Sequence, residues 1–308
     1  MGSNASYDMV GVIGAGSFGT ALANLLAENR RVLLYARRKE VLDEIHKTRQ
    51  LHGKDLHPHI QGTGDLAEIA HRCELIFPVV PSAYFPEMLQ SLAPHLNPAH
   101  KLIHGTKGLY VLLPEGQTIE TVETLTPGQV KTMSELIREE TVVRRIGCVA
   151  GPNLAREILD EQPAATVVAS PFEEVRREVR TVLRSTRFRV HGNADLIGIE
   201  LAGVLKNIMA LAAGMLRGLD YGDNTLAMLI TQGLAEMIHI GKALGADVRA
   251  FLGLAGIGDL VATCTSPRSR NYTVGYRIGQ GEKLSDIIAS MQEVAEGVQT
   301  VRVIRTLS

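Results

Sequence analysis

Met9-Val10-Gly11-Val12-Ile13-Gly14-Ala15-Gly16-Ser17-Phe18-Gly19-Thr20-Ala21-Leu22-Ala23 is the stretch on which the fold turns. Met9 to Gly14 is a continuous apolar run and reads as a buried strand. Gly14, Gly16 and Gly19 fit G-x-G-x-x-G, and helix-forming residues follow. Alone, that string also fits an ordinary glycine-rich strand-to-helix turn. Here a helix pattern over Ala21 to Asn29 leads to a second strand run, Arg31 to Ala36 (RVLLYA), which completes a βαβ unit. In such a unit the first glycine makes the tight turn. The second lets backbone approach a pyrophosphate, and the third lets the helix pack on the sheet. The helix start offers N–H groups and a positive dipole to phosphate. The expected ligand is a dinucleotide.

The end of the second strand discriminates between dinucleotides. NAD sites usually carry an acidic residue there to accept hydrogen bonds from the ribose. This chain has Arg37-Arg38-Lys39. Cations cannot accept those bonds but suit a 2′-phosphate. The residues predict NADPH in preference to NADH, with Arg37 the leading contact and Arg38 beside it. The competing reading is a solvated basic cluster at a helix start.

Working outward, short apolar runs keep alternating with helical patterns. Glu74 to Val80, Lys101 to His104, Ile146 to Ala150 and Ala165 to Ala169 read as strands, with Pro86 to His95 and Glu173 to Arg184 as helices. That alternation means a mostly parallel sheet covered on both faces. Glu115 to Glu140 looks like a long excursion from it. After about Gly192 the texture changes. Leu196 to Leu219 and Thr225 to Gly245 are long, apolar and free of strand alternation, so they read as helices; the glycines at 198, 203 and 214 suggest close helix packing. The predicted fold class is α/β plus all-α. A Rossmann-like doubly wound sheet occupies 7–192 and a helical substrate domain 193–308. Two domains agree with a length of 308 residues at about 150 per domain.

Composition narrows the classes. Apolar residues make up 45% and charged residues 21%, which excludes disorder as the main state. A net charge of −1 gives no global grip on nucleic acid or anionic membrane. Cys73, Cys148 and Cys264 are too scattered for a zinc motif or a disulfide framework. His52, His57 and His59 fit a polar loop more simply than a metal site. No signal peptide is read, and no stretch reads as a membrane span, so the expected location is the cytoplasm. Met1 to Ser6 are small and polar and are set aside from the fold. The apolar helical half suits a homodimer interface and a monomer core alike.

Several short motifs carry chemistry. Lys107, in Thr106-Lys107-Gly108, follows a strand, so it reaches the ligand crevice at strand ends. Gly151-Pro152-Asn153 sits at the same rim. Lys206, in Gly203-Val204-Leu205-Lys206-Asn207, lies in an apolar helix, either as a desolvated acid–base group or as a lysine snorkelling from the helix edge. Asp259, in Gly256-Ile257-Gly258-Asp259, either caps a helix or pairs with a lysine. Ser269-Arg270-Asn271 is a compact donor set suited to phosphate. Glu296-Gly297 either meets the cofactor or closes a helix.

Taken in order, GAGSFGTA, HGTKGL, GPNLA, GVLKN, GIGDLVATC, SRN and EG resemble soluble NAD(P)-dependent glycerol-3-phosphate dehydrogenase across essentially the whole chain. The resemblance implies reversible reduction of dihydroxyacetone phosphate to sn-glycerol 3-phosphate, feeding glycerophospholipid synthesis. By it, Lys206 is the acid–base, Lys107 polarises or positions the substrate and Asp259 orients Lys206. Arg270 and Asn271 hold the substrate phosphate, Asn207 and Ser269 assist, and Gly151 and Asn153 complete the substrate site. Ser17, Phe18, Arg37, Lys107, Ala155, Arg270 and Glu296 line the cofactor, with Gly14, Gly16 and Gly19 beneath it. No metal is expected.

Three departures from the family pattern stand out. Asn153 replaces the Ser or Thr of bacterial members, and Gln232 replaces an arginine. The chain also stops at Ser308, soon after Glu296-Gly297, where members continue with helical sequence, so the helical domain is expected to be short at its end. The alternatives are a related two-domain NADP-dependent hydroxyacid or keto acid dehydrogenase, and a non-catalytic NADPH-binding paralogue. The phosphate-directed Ser269-Arg270-Asn271 set argues against the first, and the intact Lys107, Lys206 and Asp259 against the second.

Overall fold

The computed structural model describes residues 9–291 and 295–307. Met1 to Ser6, and the first two residues assigned to the sheet domain, lie outside the described residues. Along the chain run β1 (Met9–Ile13), α1 (Ser17–Ala27), β2 (Arg31–Tyr35), α2 (Lys39–Lys47), β3 (Gln50–Leu51), β4 (Lys54–Asp55), β5 (Ile60–Thr63), α3 (Leu66–Arg72), β6 (Leu75–Pro78), α4 (Phe85–Leu92), β7 (Lys101–His104) and β8 (Tyr110–Val111). There follow β9 (Val130–Lys131), α5 (Met133–Glu140), β10 (Arg145–Ala150), α6 (Ala155–Leu159), β11 (Ala164–Ala169), α7 (Glu173–Leu183) and β12 (Phe188–Asn193). The rest is helical: α8 (Leu196–Gly218), α9 (Asp223–Ala243), α10 (Val248–Leu252), a π-helical turn (Leu254–Gly258), α11 (Asp259–Thr265), α12 (Arg270–Gly279), α13 (Leu284–Ser290) and α14 (Glu296–Thr306).

Eight strands form one sheet in the order β5-β2-β1-β6-β7-β10-β11-β12. The first six are parallel. β11 turns back antiparallel to β10, and β12 runs parallel to β11. Strand alternation feeds a core on each face: Met9 and Ile13 of β1 join one, Val10 and Val12 the other. Each fully buried side chain of this size contributes roughly 1.5–3 kcal/mol. The continuous apolar runs noted in the sequence are the two-sided burial of a helix-covered sheet.

The excursion after β7 is more ordered than its composition suggests. β8 and β9 pair antiparallel. α5 then begins with a capping box, in which Thr132 and Glu135 satisfy each other's backbone N–H groups.

α8 is 23 residues long with mean hydropathy 1.7, long and apolar enough to cross a membrane by length and composition. In this fold 78% of its most apolar window is buried in protein. Asp195 caps it by accepting from the Gly198 N–H at 2.9 Å. Glu200 ties it to α5, accepting the Ser134 N–H at 3.0 Å and the Ser134 hydroxyl as well. It therefore packs as the central helix of the helical region, beside α9, α11, α12 and α14.

Candidate active site

The turn between β1 and α1 behaves as its glycines require. Gly14 has φ +119°, in the left-handed region. A Cβ on Gly19 would stand 1.8 Å from the Gly14 carbonyl oxygen, so helix and strand could not approach as they do. Around Gly16, by contrast, an added Cβ would meet no described residue within 4 Å beyond its own chain neighbours. Gly16 is also the N-cap of α1 and, as a glycine, offers that helix start no side-chain cap of its own. Open backbone at an uncapped helix start fits a dinucleotide pyrophosphate. Ser17 and Phe18 are the first residues of α1, and the Phe18 ring packs towards Gly105 after β7.

Arg37 is exposed at the end of β2. Its guanidinium lies 5.0 Å from the centre of the Tyr84 ring and 3.6 Å from the Glu87 carboxylate. Arg38, at the N-cap of α2, is exposed.

The strand ends β7 and β10 and the helices α8 and α11 converge on a buried ion cluster. The ammonium of Lys107 donates to Asp259 Oδ2 at 2.6 Å and to the Gly151 carbonyl at 3.1 Å. That of Lys206 donates to Thr263 Oγ1 at 2.6 Å and lies 3.1 Å from Asp259 Oδ1. Lys206 is 5% exposed, so it is not a snorkelling lysine. Asp259 does not cap α11 by side-chain bonding; it bridges the two lysines. Burial pushes Lys206 down to about 8, against the pull of Asp259, and Lys107 lowers it further. Burial alone would raise Asp259, but the two lysines outweigh it and hold its carboxyl below the usual range.

Around the cluster, Asn207 Nδ2 donates to the Lys107 carbonyl at 3.3 Å. Asn153 Nδ2 donates to Thr166 Oγ1 at 2.8 Å, while its Oδ1 is buried with no partner among the described residues. Ser269 caps α12, accepting from the Tyr272 N–H. Arg270 is exposed at the first position of that helix. Asn271 Oδ1 accepts the Gly297 N–H at 2.9 Å, fastening α14 to α12. Glu296 starts α14 rather than closing a helix, and its carboxylate accepts the Ser82 N–H at 2.8 Å and the Ser82 hydroxyl. Burial raises the Glu296 carboxyl, and the bonds from Ser82 oppose that rise. Ala155 opens α6 at the β10 end.

Two residues of the arrangement were not singled out in the sequence. Thr263 lies one turn beyond Asp259, and that i,i+4 spacing could have flagged it. Ser82 carries no local signal, since its partner is 214 positions away. Gln232 is exposed on α9. His52 and His59 each meet a backbone carbonyl, of Ala15 and Ala27, and His57 packs edge-on against His59. Among the described residues no cluster of three potential metal ligands occurs. The three cysteines are buried, with the Cys73 and Cys264 thiols pushed up to about 12 by burial.

Residues 9–176 match the family described as NAD-dependent glycerol-3-phosphate dehydrogenase N-terminus, and residues 195–308 its C-terminus counterpart. A relative from Ectopseudomonas mendocina, named glycerol-3-phosphate dehydrogenase [NAD(P)+], is 43% identical over 301 residues, covering 96% of this chain and 84% of its own. One of the same name from Azotobacter vinelandii is 44% identical over the same shares. The crystal structure of glycerol-3-phosphate dehydrogenase from Coxiella burnetii superposes with a TM-score of 0.85 at 31% identity, covering 97% of this chain and 88% of its own. By sequence and by fold alike, the chain belongs to the NAD-dependent glycerol-3-phosphate dehydrogenase family.

Proposed function

We infer that the Lys107–Asp259–Lys206 cluster is where this chain, an NAD(P)-dependent glycerol-3-phosphate dehydrogenase, interconverts dihydroxyacetone phosphate and sn-glycerol 3-phosphate. The observation that carries this reading is two ammonium groups on one buried carboxylate, at 2.6 and 3.1 Å, at the ligand end of the sheet. The bound nicotinamide cofactor supplies or accepts the hydride. Lys107 polarises the C2 carbonyl, and Lys206 gives its proton to the oxygen as negative charge develops there. Asp259 keeps both ammonium groups aimed, and Thr263 fixes the rotamer of Lys206. Arg270, with Asn207, Ser269 and Asn271, holds the substrate phosphate and so sets the register of C2. Gly151 and Asn153 complete the substrate site, Asn153 through the amide oxygen that has no partner among the described residues.

The cofactor of this reading is NADPH in preference to NADH. Gly14, Gly16 and Gly19 form the pyrophosphate turn, with Ser17, Phe18, Lys107, Ala155, Arg270 and Glu296 around the cofactor and Arg37, backed by Arg38, on the 2′-phosphate. The domains are 7–192 for the cofactor and 193–308 for the substrate. The product feeds glycerophospholipid synthesis in the cytoplasm, and a homodimer through the helical half is consistent with its exposed apolar residues.

The test is oxidation of NADPH with dihydroxyacetone phosphate, repeated with NADH and with a keto acid. Turnover on the phosphate ester, lost in Lys206→Ala while NADPH still binds, is the expected result. Undiminished turnover in Lys206→Ala sinks the acid–base role. Preference for the keto acid sinks the substrate. Arg37→Ala is expected to weaken NADPH far more than NADH.

A further inference from the structure

The second strand carries no acidic residue at its end, yet the fold brings one there from elsewhere. Glu87, in the first turn of α4, places its carboxylate 3.6 Å from a terminal nitrogen of Arg37, whose guanidinium also lies 5.0 Å from the centre of the Tyr84 ring. A second carboxylate, Asp65, follows two residues after Thr63, the sheet partner of Tyr35 at the end of β2. Their duties differ. Asp65 caps α3, accepting the Ala67 N–H at 2.8 Å. The side chain of Glu87 is 73% exposed, and Arg37 is its ion-pair partner.

We propose that Glu87 sets the cofactor selectivity of this chain, by competing with the 2′-phosphate for Arg37 and by offering an acceptor to ribose hydroxyls. The proposal rests on the reading of Arg37 as the 2′-phosphate contact. An exposed ion pair is weak, so Arg37 leaves Glu87 readily when a phosphate dianion arrives. The phosphate then lies near an unpaired carboxylate of like sign, and NADPH loses part of what Arg37 contributes. With NADH no such repulsion arises, since ribose hydroxyls donate to carboxylates and Arg37 can stay paired. Glu87 thus narrows the difference between the two cofactors, supplying from α4 the acidic group that the strand lacks.

The experiment compares kcat/KM for NADPH with kcat/KM for NADH, at saturating dihydroxyacetone phosphate, in the full chain and in Glu87→Gln. The substitution lies on the surface and preserves shape. The NADPH-to-NADH ratio is expected to rise about fivefold, which corresponds to ~1 kcal/mol at 1.4 kcal/mol per tenfold. The rise is expected to shrink in high salt, as an exposed electrostatic effect must. Glu173→Gln removes the same charge from an exposed position at the start of α7, which lies beside β12 at the opposite edge of the sheet from β2, and is expected to leave the ratio where it was. An unchanged or lowered ratio in Glu87→Gln overturns the proposal, whatever Arg37→Ala does. Equal losses for both cofactors in Arg37→Ala overturn the NADPH reading beneath it.

Discussion

Asp259→Asn is expected to convert this chain into an enzyme that reduces its substrate well only in acid. In the native cluster Lys206 titrates at about 8, lowered chiefly by burial and held up by Asp259. With such a value Lys206 is about 90% protonated at pH 7 and about 10% at pH 9. Reduction needs the ammonium, so its rate falls as pH rises through 8; oxidation needs the free amine, so its rate rises through the same pH. Asp259 lies 3.1 Å from the Lys206 nitrogen and accepts from Lys107 at 2.6 Å. Removing an opposite charge at that range typically shifts a group by about one to three units. The substitution leaves burial and the repulsion from Lys107 in place, and both push Lys206 further down. At neutral pH the protonated donor then falls from about 90% to between about half and about 1%, and reduction drops by about 2- to 100-fold. The assay is kcat/KM for dihydroxyacetone phosphate at saturating NADPH across pH 5–9, with circular dichroism to confirm folding. Partial recovery of Asp259→Asn towards pH 5, with the falling limb displaced to lower pH, is the expected signature. A limb that stays at 8 or moves upward refutes the reasoning.

The same burial makes Lys206 a liability for folding. Its proton affinity is lower folded than unfolded, so the destabilisation is fully present below pH 8 and fades as pH rises through 8 towards 10.5. Lys206→Met is therefore expected to stabilise the fold by as much as ~3 kcal/mol at pH 7, and less at pH 10, while turnover is lost; calorimetry at the two pH values decides. Thr263→Val removes the oxygen 2.6 Å from the Lys206 nitrogen. It is expected to lower kcat about 10- to 100-fold with little change in the KM for NADPH, and Thr263→Ser should recover most of it. In the glycine turn, Gly16→Ala meets open space and should keep its melting temperature while losing NADPH affinity. Gly19→Ala drives its Cβ into the Gly14 carbonyl at 1.8 Å and should cost several kcal/mol of stability.

What could be read from the sequence follows from how each feature is encoded. Continuous apolar runs gave away β1, β2, β6, β7, β10 and β11 to within a residue or two of their observed ends. β5 and β12 escaped because they lie at the sheet edges. β5 is four residues, Ile60–Thr63, with a glycine inside, and β12 alternates buried Phe188 and Val190 with exposed Arg189 and His191. Strand direction is not written in composition either, so the antiparallel turn from β10 to β11 had no signal. In the site, Lys107, Lys206 and Asp259 stood out as charges in apolar or glycine-rich settings. Their convergence did not, because it depends on contacts 152 and 53 positions apart (259 − 107 and 259 − 206). Ser269 and Asn271 read as phosphate donors, yet each also has a structural bond that their spacing alone did not disclose.

The glycines of α8 separate propensity from packing on a single helix. All of them cost helix propensity, about 1 kcal/mol each relative to alanine, and the sequence alone suggests a common reason of close packing. The contacts divide them. A Cβ on Gly214 would stand 2.0 Å from the Tyr272 carbonyl oxygen, and across the same contact a Cβ on Gly275 would stand 1.9 Å from that of Leu211. There α8 and α12 touch backbone to backbone, and no side chain fits. A Cβ on Gly203 would meet Lys107 Cγ at 3.7 Å and Ala150 Cβ at 3.8 Å, which is ordinary contact. Gly203 therefore leaves room beside the stem of Lys107 that a methyl group can share. Gly203→Ala is expected to raise stability by about 0.5–1 kcal/mol and keep kcat within about twofold. Gly203→Leu, too large for that space, should displace Lys107 from Asp259 and lower kcat. Gly214→Ala should destabilise despite the better propensity, because the α8–α12 backbones must part. Melting curves and kcat for the three variants decide. If Gly203→Ala and Gly214→Ala moved the melting temperature in the same direction, backbone propensity rather than the α8–α12 contact would govern this helix, and the packing argument would fail.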